Sequence, residues 1–309
     1  MAGFNIQTAG AQKIEPIKYG NFQQWVVREI PQSKIIGGKI KTLYEIGPTD
    51  TIYGDKPYKN MGGSPWTTSN VYAKVMGVSK GSNSVFPSSR GNGNICAKLC
   101  TMFDSIKALG VINIEVLVGG SIFLGEMNEP IRSSSDPYSK MVMGVPFTKR
   151  PKALRFDYKV DMPDIDYMVY CSGFGRKRTI AGRDSSEVFI FLQQRWEDEK
   201  GNVYAKRVGT GRERFTRSTD WINAHDLPVL YGDITGLPQY RPYMGLIPED
   251  RCYYTRNSKG KMVPVHEIGW ADADATPTHL LVMASSACGT AFIGTPGLTL
   301  YIDNVALVY

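Results

Sequence analysis

The chain has 309 residues and a net charge of +7, with 42% hydrophobic and 21% charged residues, a balance that excludes a disordered polypeptide and allows a large buried core. Its 32 glycines, 18 prolines and 17 tyrosines favour strands and turns over helices. The long apolar stretch Val111 to Phe123 is interrupted by Asn113, Glu115 and glycines, so no segment reaches the ~20 apolar residues of a membrane-crossing helix.

Residues 1–18 read as a mobile N-terminal arm and residues 19–309 as a single large domain. No basic segment followed by an apolar core is read in Met1 to Gly10, so an exported protein would correspond to a mature or trimmed form. Gly77 to Asn94 and Ile131 to Ser139 are rich in Gly, Ser and Asn and read as surface loops. In Val111 to Val118 the residues Ile112, Ile114, Val116 and Val118 alternate with Val111, Asn113, Glu115 and Leu117, the period of a strand with one apolar face.

Segments Ser133 to Met143 and Thr219 to His225 have room for short helices at most. Ala153 to Val160 turns Leu154, Phe156, Tyr158 and Val160 one way and Arg155, Asp157 and Lys159 the other, as a half-buried antiparallel strand does. Val188 to Trp196 is apolar on both faces before turning polar. Gly201 and Asn202 then predict a hairpin into a strand beginning at Val203. Leu280 to Ser285 and Leu298 to Tyr309 complete the strands, and no window of 11 or more residues has a helical period.

The last strand changes phase: Leu298, Leu300 and Ile302 share one parity, while Val305, Leu307 and Tyr309 take the other. A bulge near Asp303 and Asn304 reconciles them. Such a bulge aims two oxygen-bearing side chains at one spot, which suits calcium; a polar kink without metal is the alternative. Cys96, Cys100, Cys171, Cys252 and Cys288 include no CxxC, and their odd number leaves a thiol unpaired. On one strand Cys96 and Cys100 would lie ~13 Å apart, too far for a disulfide. The basic clusters Arg176-Lys177-Arg178 and Arg212, Arg214 and Arg217 are placed to contact phosphates or to lie as solvated charges, and no aromatic-interleaved basic motif points to nucleic acid.

Several segments taken in order resemble a known family. They are Tyr19-Gly-Asn-Phe-Gln-Gln-Trp25, Ser64-Pro-Trp-Thr-Thr-Ser-Asn70, Ala97-Lys-Leu-Cys-Thr101 and Gly119-Gly-Ser-Ile-Phe-Leu-Gly125. Pro151 to Lys159, then Trp221 with Leu227-Pro228 and Tyr231, follow. The closing part is Met283-Ala-Ser-Ser286, Phe292-Ile-Gly294, Gly297-Leu298 and Tyr301-Ile-Asp-Asn-Val305. Together they resemble the putative carbohydrate-metabolism domain family of Bacteroidetes surface and periplasmic lipoproteins over residues 19 to 309. Leu298-Thr299 departs from that family's Ser-x-Leu phasing.

The resemblance implies a jelly-roll β-sandwich of two antiparallel sheets with long loops, similar to carbohydrate-binding modules. It also implies an extracytoplasmic setting, a glycan partner, and membrane contact only through a lipid anchor that this chain does not carry. A sugar site of that kind needs flat aromatic faces beside amides and carboxylates. Trp66 with Asn70, in a Gly62-Gly-Ser-Pro65 loop, is the first candidate, with a core plug as the alternative; Tyr240 and Tyr243, in a Pro-rich loop, could line a groove. Trp25 and Trp221 read as core plugs.

A glycosidase would instead need two carboxylates, about 5–5.5 Å apart for retention or ~6.5–9.5 Å for inversion. Glu126, after a strand end, and Asp157, on a polar strand face, are the candidates, the alternatives being a solvated loop acid and a cross-strand ion pair. His225, His266 and His279 form no HExxH pattern, Ser285-Ser286 is not in a GxSxG elbow, and Gly91-Asn-Gly93 and Gly209-Thr-Gly211 read as turns. Three readings stand: a glycan-binding or accessory protein in polysaccharide utilisation, a glycoside hydrolase, and a structural or adhesive surface protein.

Overall fold

The computed structural model describes residues 12–309 except 76, 109–111, 134–136, 174, 175 and 289. Strand follows strand along these residues, with four short 3-10 turns among them, as the β-branched and aromatic composition with frequent Gly and Pro demands. Among the described residues no helix is long and apolar enough to cross a membrane.

Two large sheets carry the core. A six-stranded sheet orders Ile222–Pro228, Ala153–Asp161, Thr299–Val308, Asn94–Cys100 and Val85–Gly91, with Ile14–Pro16 also paired to Thr299–Val308. A ten-stranded sheet contains Ser186–Glu197 between His279–Ser285 and Val203–Phe215. It continues through Met262–Trp270, Tyr254–Arg256, Met141–Met143 and Ser121–Met127. Because Ser121–Met127 pairs back onto His279–Ser285, seven of its strands close into a ring.

Alternation explains how the two sheets meet. Leu154, Phe156, Tyr158 and Val160 on the first sheet pack against Val188, Ile190, Leu192, Leu280, Val282 and Ala284 on the outer face of the ring. The opposite parity of the same ring strands, Phe189, Phe191 and Leu281 with Phe123 and Met143, points into the ring and forms a second apolar cluster. Burial on both faces is why Ser186–Glu197 lacks clean alternation over its first residues.

The all-β class expected from the sequence is therefore present, but the pairing departs from a two-sheet antiparallel jelly roll. One sheet closes on itself, and Val203–Phe215 runs parallel to Met262–Trp270, as Trp25–Pro31 does to Asp50–Tyr53. The segment Gly77 to Asn94, expected as a loop, instead contains the strands Val78–Ser82 and Val85–Gly91. Ile14–Pro16 pairs with Ala306 to Val308, so the arm is tied down from there on; its earlier part, residues 1–11, lies outside the described residues. Thr219 to His225 leads into the strand Ile222–Pro228 rather than a helix, and Pro137–Lys140 is a single 3-10 turn.

Candidate functional site

The inner face of the ring is built on alternate residues of Ser186–Glu197: Glu187, Phe189, Phe191, Gln193 and Arg195. On an extended strand Glu187 and Arg195 lie ~26 Å apart, so the ring interior has two polar ends around an aromatic middle.

At the Arg195 end every side chain is buried and tied to another. Arg207 and Glu267, both 0% exposed, pair at 2.6 Å. Gln193 Nε2 donates to Glu267 Oε1 at 2.8 Å and Arg195 Nε to Gln193 Oε1 at 2.8 Å. Arg207 also lies 3.6 Å from the Phe191 ring centroid. Burial, with Arg195 as a like-charged neighbour, pushes the His279 imidazole down to about 4, and burial lowers Arg195 itself to about 10. This end is a sealed charge network.

The Glu187 end is open. Register places Glu187 opposite Arg214 and Phe189 opposite Arg212. Glu187, 3% exposed, accepts from Arg212 Nη2 at 2.8 Å and from Arg214 Nε at 3.1 Å. The same two arginines hold Tyr243: Arg212 Nη1 donates to its carbonyl at 2.6 Å, and the Arg214 guanidinium lies 4.7 Å from its ring centroid. One acid thus fixes two cations, and the cations fix an aromatic ring.

Above this end lies a cavity of about 610 Å³. Its walls include Tyr138, Tyr243, Tyr253 and Phe191, with Met127, Met141 and Met283 as adaptable apolar surface. Two hairpins border it. Val71–Val75 pairs with Val78–Ser82, and Met102–Ala108 with Ile112–Val118; they bring Lys80, Asp104, Ile114 and Val116 to the cavity. Lys80 bridges Asp104 and the Ser105 carbonyl. Burial, only partly opposed by Arg212, pushes the Tyr253 hydroxyl well above its ordinary range, so it stays protonated and able to donate.

Behind the wall at Cys288, Asp184 is 5% exposed and accepts from the Ser185 amide at 2.8 Å and from the Cys288 thiol at 3.1 Å. Burial raises its carboxyl, with the nearby Glu187 charge acting in the same direction, and its Oδ2 has no hydrogen-bond partner among the described residues. Burial also pushes the Cys288 thiol up to about 12, which leaves it a poor nucleophile. Close to the cavity, Glu249, Cys252 and His266 bring three metal-type donors within 4.8 Å of one another. His266 Nδ1 and Glu249 Oε1 are 2.7 Å apart, a hydrogen-bond separation closer than two ligands on one tetrahedral zinc would stand, ~3.3 Å from metal–ligand bonds of ~2.0 Å.

Of the residues singled out by sequence, Tyr243 lines this cavity; Tyr240, half-buried nearby, does not. Trp66 is 1% exposed, packs edge-on against Phe22 at 5.6 Å and donates Nε1–H to the Lys18 carbonyl at 3.0 Å. Asn70, 0% exposed, spends its whole amide on backbone: Nδ2 donates to Tyr44 and Val85 carbonyls, and Oδ1 accepts from the Ser84 and Val85 amides. Glu126 is exposed on the strand Ser121–Met127.

Asp157, Asp303 and Asn304 meet in space. The bulge is present, with Asn304 at φ 53° and a register shift opposite Arg155 to Asp157. Arg90 Nη1 sits 2.7 Å from both Asp157 Oδ2 and Asp303 Oδ2, while Asn304 donates Nδ2–H to Asp157 Oδ2 at 2.8 Å. A guanidinium, stacked 4.1 Å from the Trp221 centroid, supplies the positive charge there. Against the cost of burial, the Ala224 amide, Asn304 and Arg90 hold Asp157 below its ordinary value, whereas burial leaves Asp303 raised.

Sequence reasoning missed Glu187, Tyr253 and Lys80. The available signal for Glu187 was an acid in an otherwise apolar strand, together with Arg212 and Arg214 two residues apart on one strand face.

Residues 45–208 match the family model described as "Putative carbohydrate metabolism domain". The chain belongs to this family. The matched span includes Glu187 and the two hairpins, while Arg212, Tyr243 and Tyr253 lie beyond it. No curated protein matches the chain. Among solved structures, a putative glycoside hydrolase from Bacteroides thetaiotaomicron is 16% identical at a TM-score of 0.45, covering 88% of this chain and 76% of that one. A putative glycoside hydrolase from Bacteroides vulgatus is 14% identical at a TM-score of 0.44, covering 96% of this chain and 94% of that one.

Proposed function

We propose that the protein is an extracytoplasmic glycan-binding or accessory protein in polysaccharide utilisation, and that it holds a saccharide in the cavity above Glu187. The observation that carries this reading is the cavity itself: about 610 Å³, walled by tyrosines and phenylalanine with a few fixed polar groups. Aromatic faces stack on the C–H faces of a pyranose, and tyrosine hydroxyls and arginines hydrogen-bond its hydroxyls. Membership in a carbohydrate-metabolism family supports it.

Binding without hydrolysis is the better reading because the two carboxylates that line the cavity among the described residues are both engaged by cations. Glu187 is gripped by two arginines and Asp104 by Lys80, so each is held by the protein's own cations. A second reading, glycoside hydrolysis, draws on Asp184, whose carboxyl is raised while Glu187 nearby is ion-paired. Two acids in unlike environments suit general acid and base, yet Asp184 does not line the cavity.

A glycan array followed by calorimetry tests both. Saturable binding to the wild type, reduced at least tenfold in Tyr243→Ala and with no reducing ends released, is the expected result. Reducing-end release abolished by Glu187→Gln or Asp184→Asn would replace the binding reading with the hydrolytic one. Absence of any glycan binding would leave the structural or adhesive role as the better account.

A further inference from the structure

Resting on the reading of the cavity as a saccharide site, we propose that its ligand is an acidic saccharide, one carrying a fixed negative charge as a uronate carboxylate or a sulfate ester.

Charge does not balance along the walls of this half-open cavity. Among the described residues, the cavity is lined by five cationic side chains, Lys80, Lys140, Arg212, Arg214 and Arg251, against two carboxylates, Asp104 and Glu187. Asp104 is matched by Lys80. Glu187 is matched twice over, because Arg212 and Arg214 both bond to it. One of those two charges, with Lys140 and Arg251, is left without an acid.

Arg251 is exposed, and no carboxylate pairs with it among the described residues; its chain neighbours Glu249 and Asp250 do not line the cavity. Lys140 donates to the Ser139 hydroxyl, a neutral partner. Surplus cations spread over open surface are screened by salt and carry little meaning. Here they converge on one apolar-walled space beside Tyr138 and Tyr253, where an opposite charge on a ligand is attracted more strongly than in bulk water. Guanidinium groups match the planar, two-oxygen face of a carboxylate or sulfate. A neutral sugar would leave that surplus unanswered.

The test compares ligands that differ only in charge. An oligogalacturonate is titrated beside its methyl ester, and a sulfated galactan oligosaccharide beside its desulfated form, into wild type and Arg251→Gln. In at least one pair the charged member is expected to bind tenfold or more tightly, with the advantage shrinking at high salt. Arg251→Gln, unchanged in unfolding temperature, should weaken the charged member about three- to tenfold and leave the neutral member unaltered. The pair that shows the effect identifies the anionic group as carboxylate or sulfate. Neutral members binding as tightly as charged ones, or equal losses for both in Arg251→Gln, would overturn the inference while leaving saccharide binding intact. No binding by any member would overturn both.

Discussion

Arg28 stands between two carboxylates in a dry pocket, and this gives a sharp prediction. It pairs with Glu45 at 2.7 Å and with Glu129 at 2.7 Å, and all three side chains are at most 2% exposed. Glu129 also accepts the Tyr58 and Tyr72 amides, which leaves Glu45 the weaker member, helped only by Thr68 at 2.9 Å. Burial, opposed by Arg28 and reinforced by the Glu129 charge, raises the Glu45 carboxyl from 4.5 to about 7. A carboxyl raised in the fold is favoured in its protonated form. Its contribution is fully present below pH 4.5 and is lost as pH rises through 7. A shift of that size corresponds to about 3 kcal/mol, or about 5 °C in unfolding temperature for a chain of this length. Glu45→Gln keeps the shape and an acceptor for Arg28 but cannot ionise. Measured by calorimetry from pH 4.5 to 8, the variant's unfolding temperature should gain about 5 °C on the wild type across that range, whatever constant offset the substitution adds. Parallel curves would refute the reasoning, because Glu45 would then be equally ionised in folded and unfolded chains.

Asn70→Ala removes four buried hydrogen bonds to backbone groups, of which the Tyr44 carbonyl keeps a side-chain partner in the Thr68 hydroxyl at 3.3 Å. At about 1–3 kcal/mol per unsatisfied group, a loss of at least 4 kcal/mol is expected in chemical denaturation, with glycan affinity of the folded fraction unchanged; a stable variant that no longer binds glycan would return Asn70 to the binding site. Arg90→Ala leaves Asp157 and Asp303 facing each other. It should cost about 2 kcal/mol, less than the 3–5 of a fully buried pair because Arg90 is 15% exposed, and millimolar calcium should restore part of that loss. A thermal-shift assay in which calcium stabilises wild type and variant equally would contradict the assignment of Arg90 as the cation of this site.

What was legible in the sequence was local. The period of two over Ala153–Asp161, the turn at Gly201 and the parity change at Asp303 each depend on neighbours within a few residues, and each is present in the fold. Gly77 to Asn94 was misread because its glycines and serines resemble loop composition. In the hairpin Gly81 serves packing instead: a Cβ there would come within 2.5 Å of Leu43 Cδ1, so the strand needs the small residue to lie against its neighbour. Trp66 follows a Gly-Ser-Pro stretch, which left a binding-site ring and a core plug both open. Phe22 and the Lys18 carbonyl, more than 40 residues earlier, cover it. Ring closure was out of reach for a like reason, since pairing Phe123 with Met283 depends on no local pattern.

The two polar ends of the ring place the site by their difference. Both solve the problem of putting charge on the inner face of a closed sheet, where an unpaired ion is costly. At the inner end Arg207 meets Glu267 with both nitrogens of the fork engaged, and Arg195, a second cation there, has only the neutral partners Gln193 and the Met143 carbonyl; packing closes over them. At the outer end the ratio is two arginines to one glutamate, and neither is fully buried, at 17% and 29% exposure. The two ends therefore share a ratio of two arginines to one glutamate and differ in exposure, the second cation being sealed by packing at the inner end and open to the cavity at the outer one. At the outer end the cavity gives the second cation access to water, and the same access makes it available to a ligand. Glu187 then acts as a positioning group: its removal should splay Arg212 and Arg214, release Tyr243 from the carbonyl and ring contacts that hold it, and weaken binding of charged and neutral saccharides together, whereas Arg251→Gln touches only the charged ones.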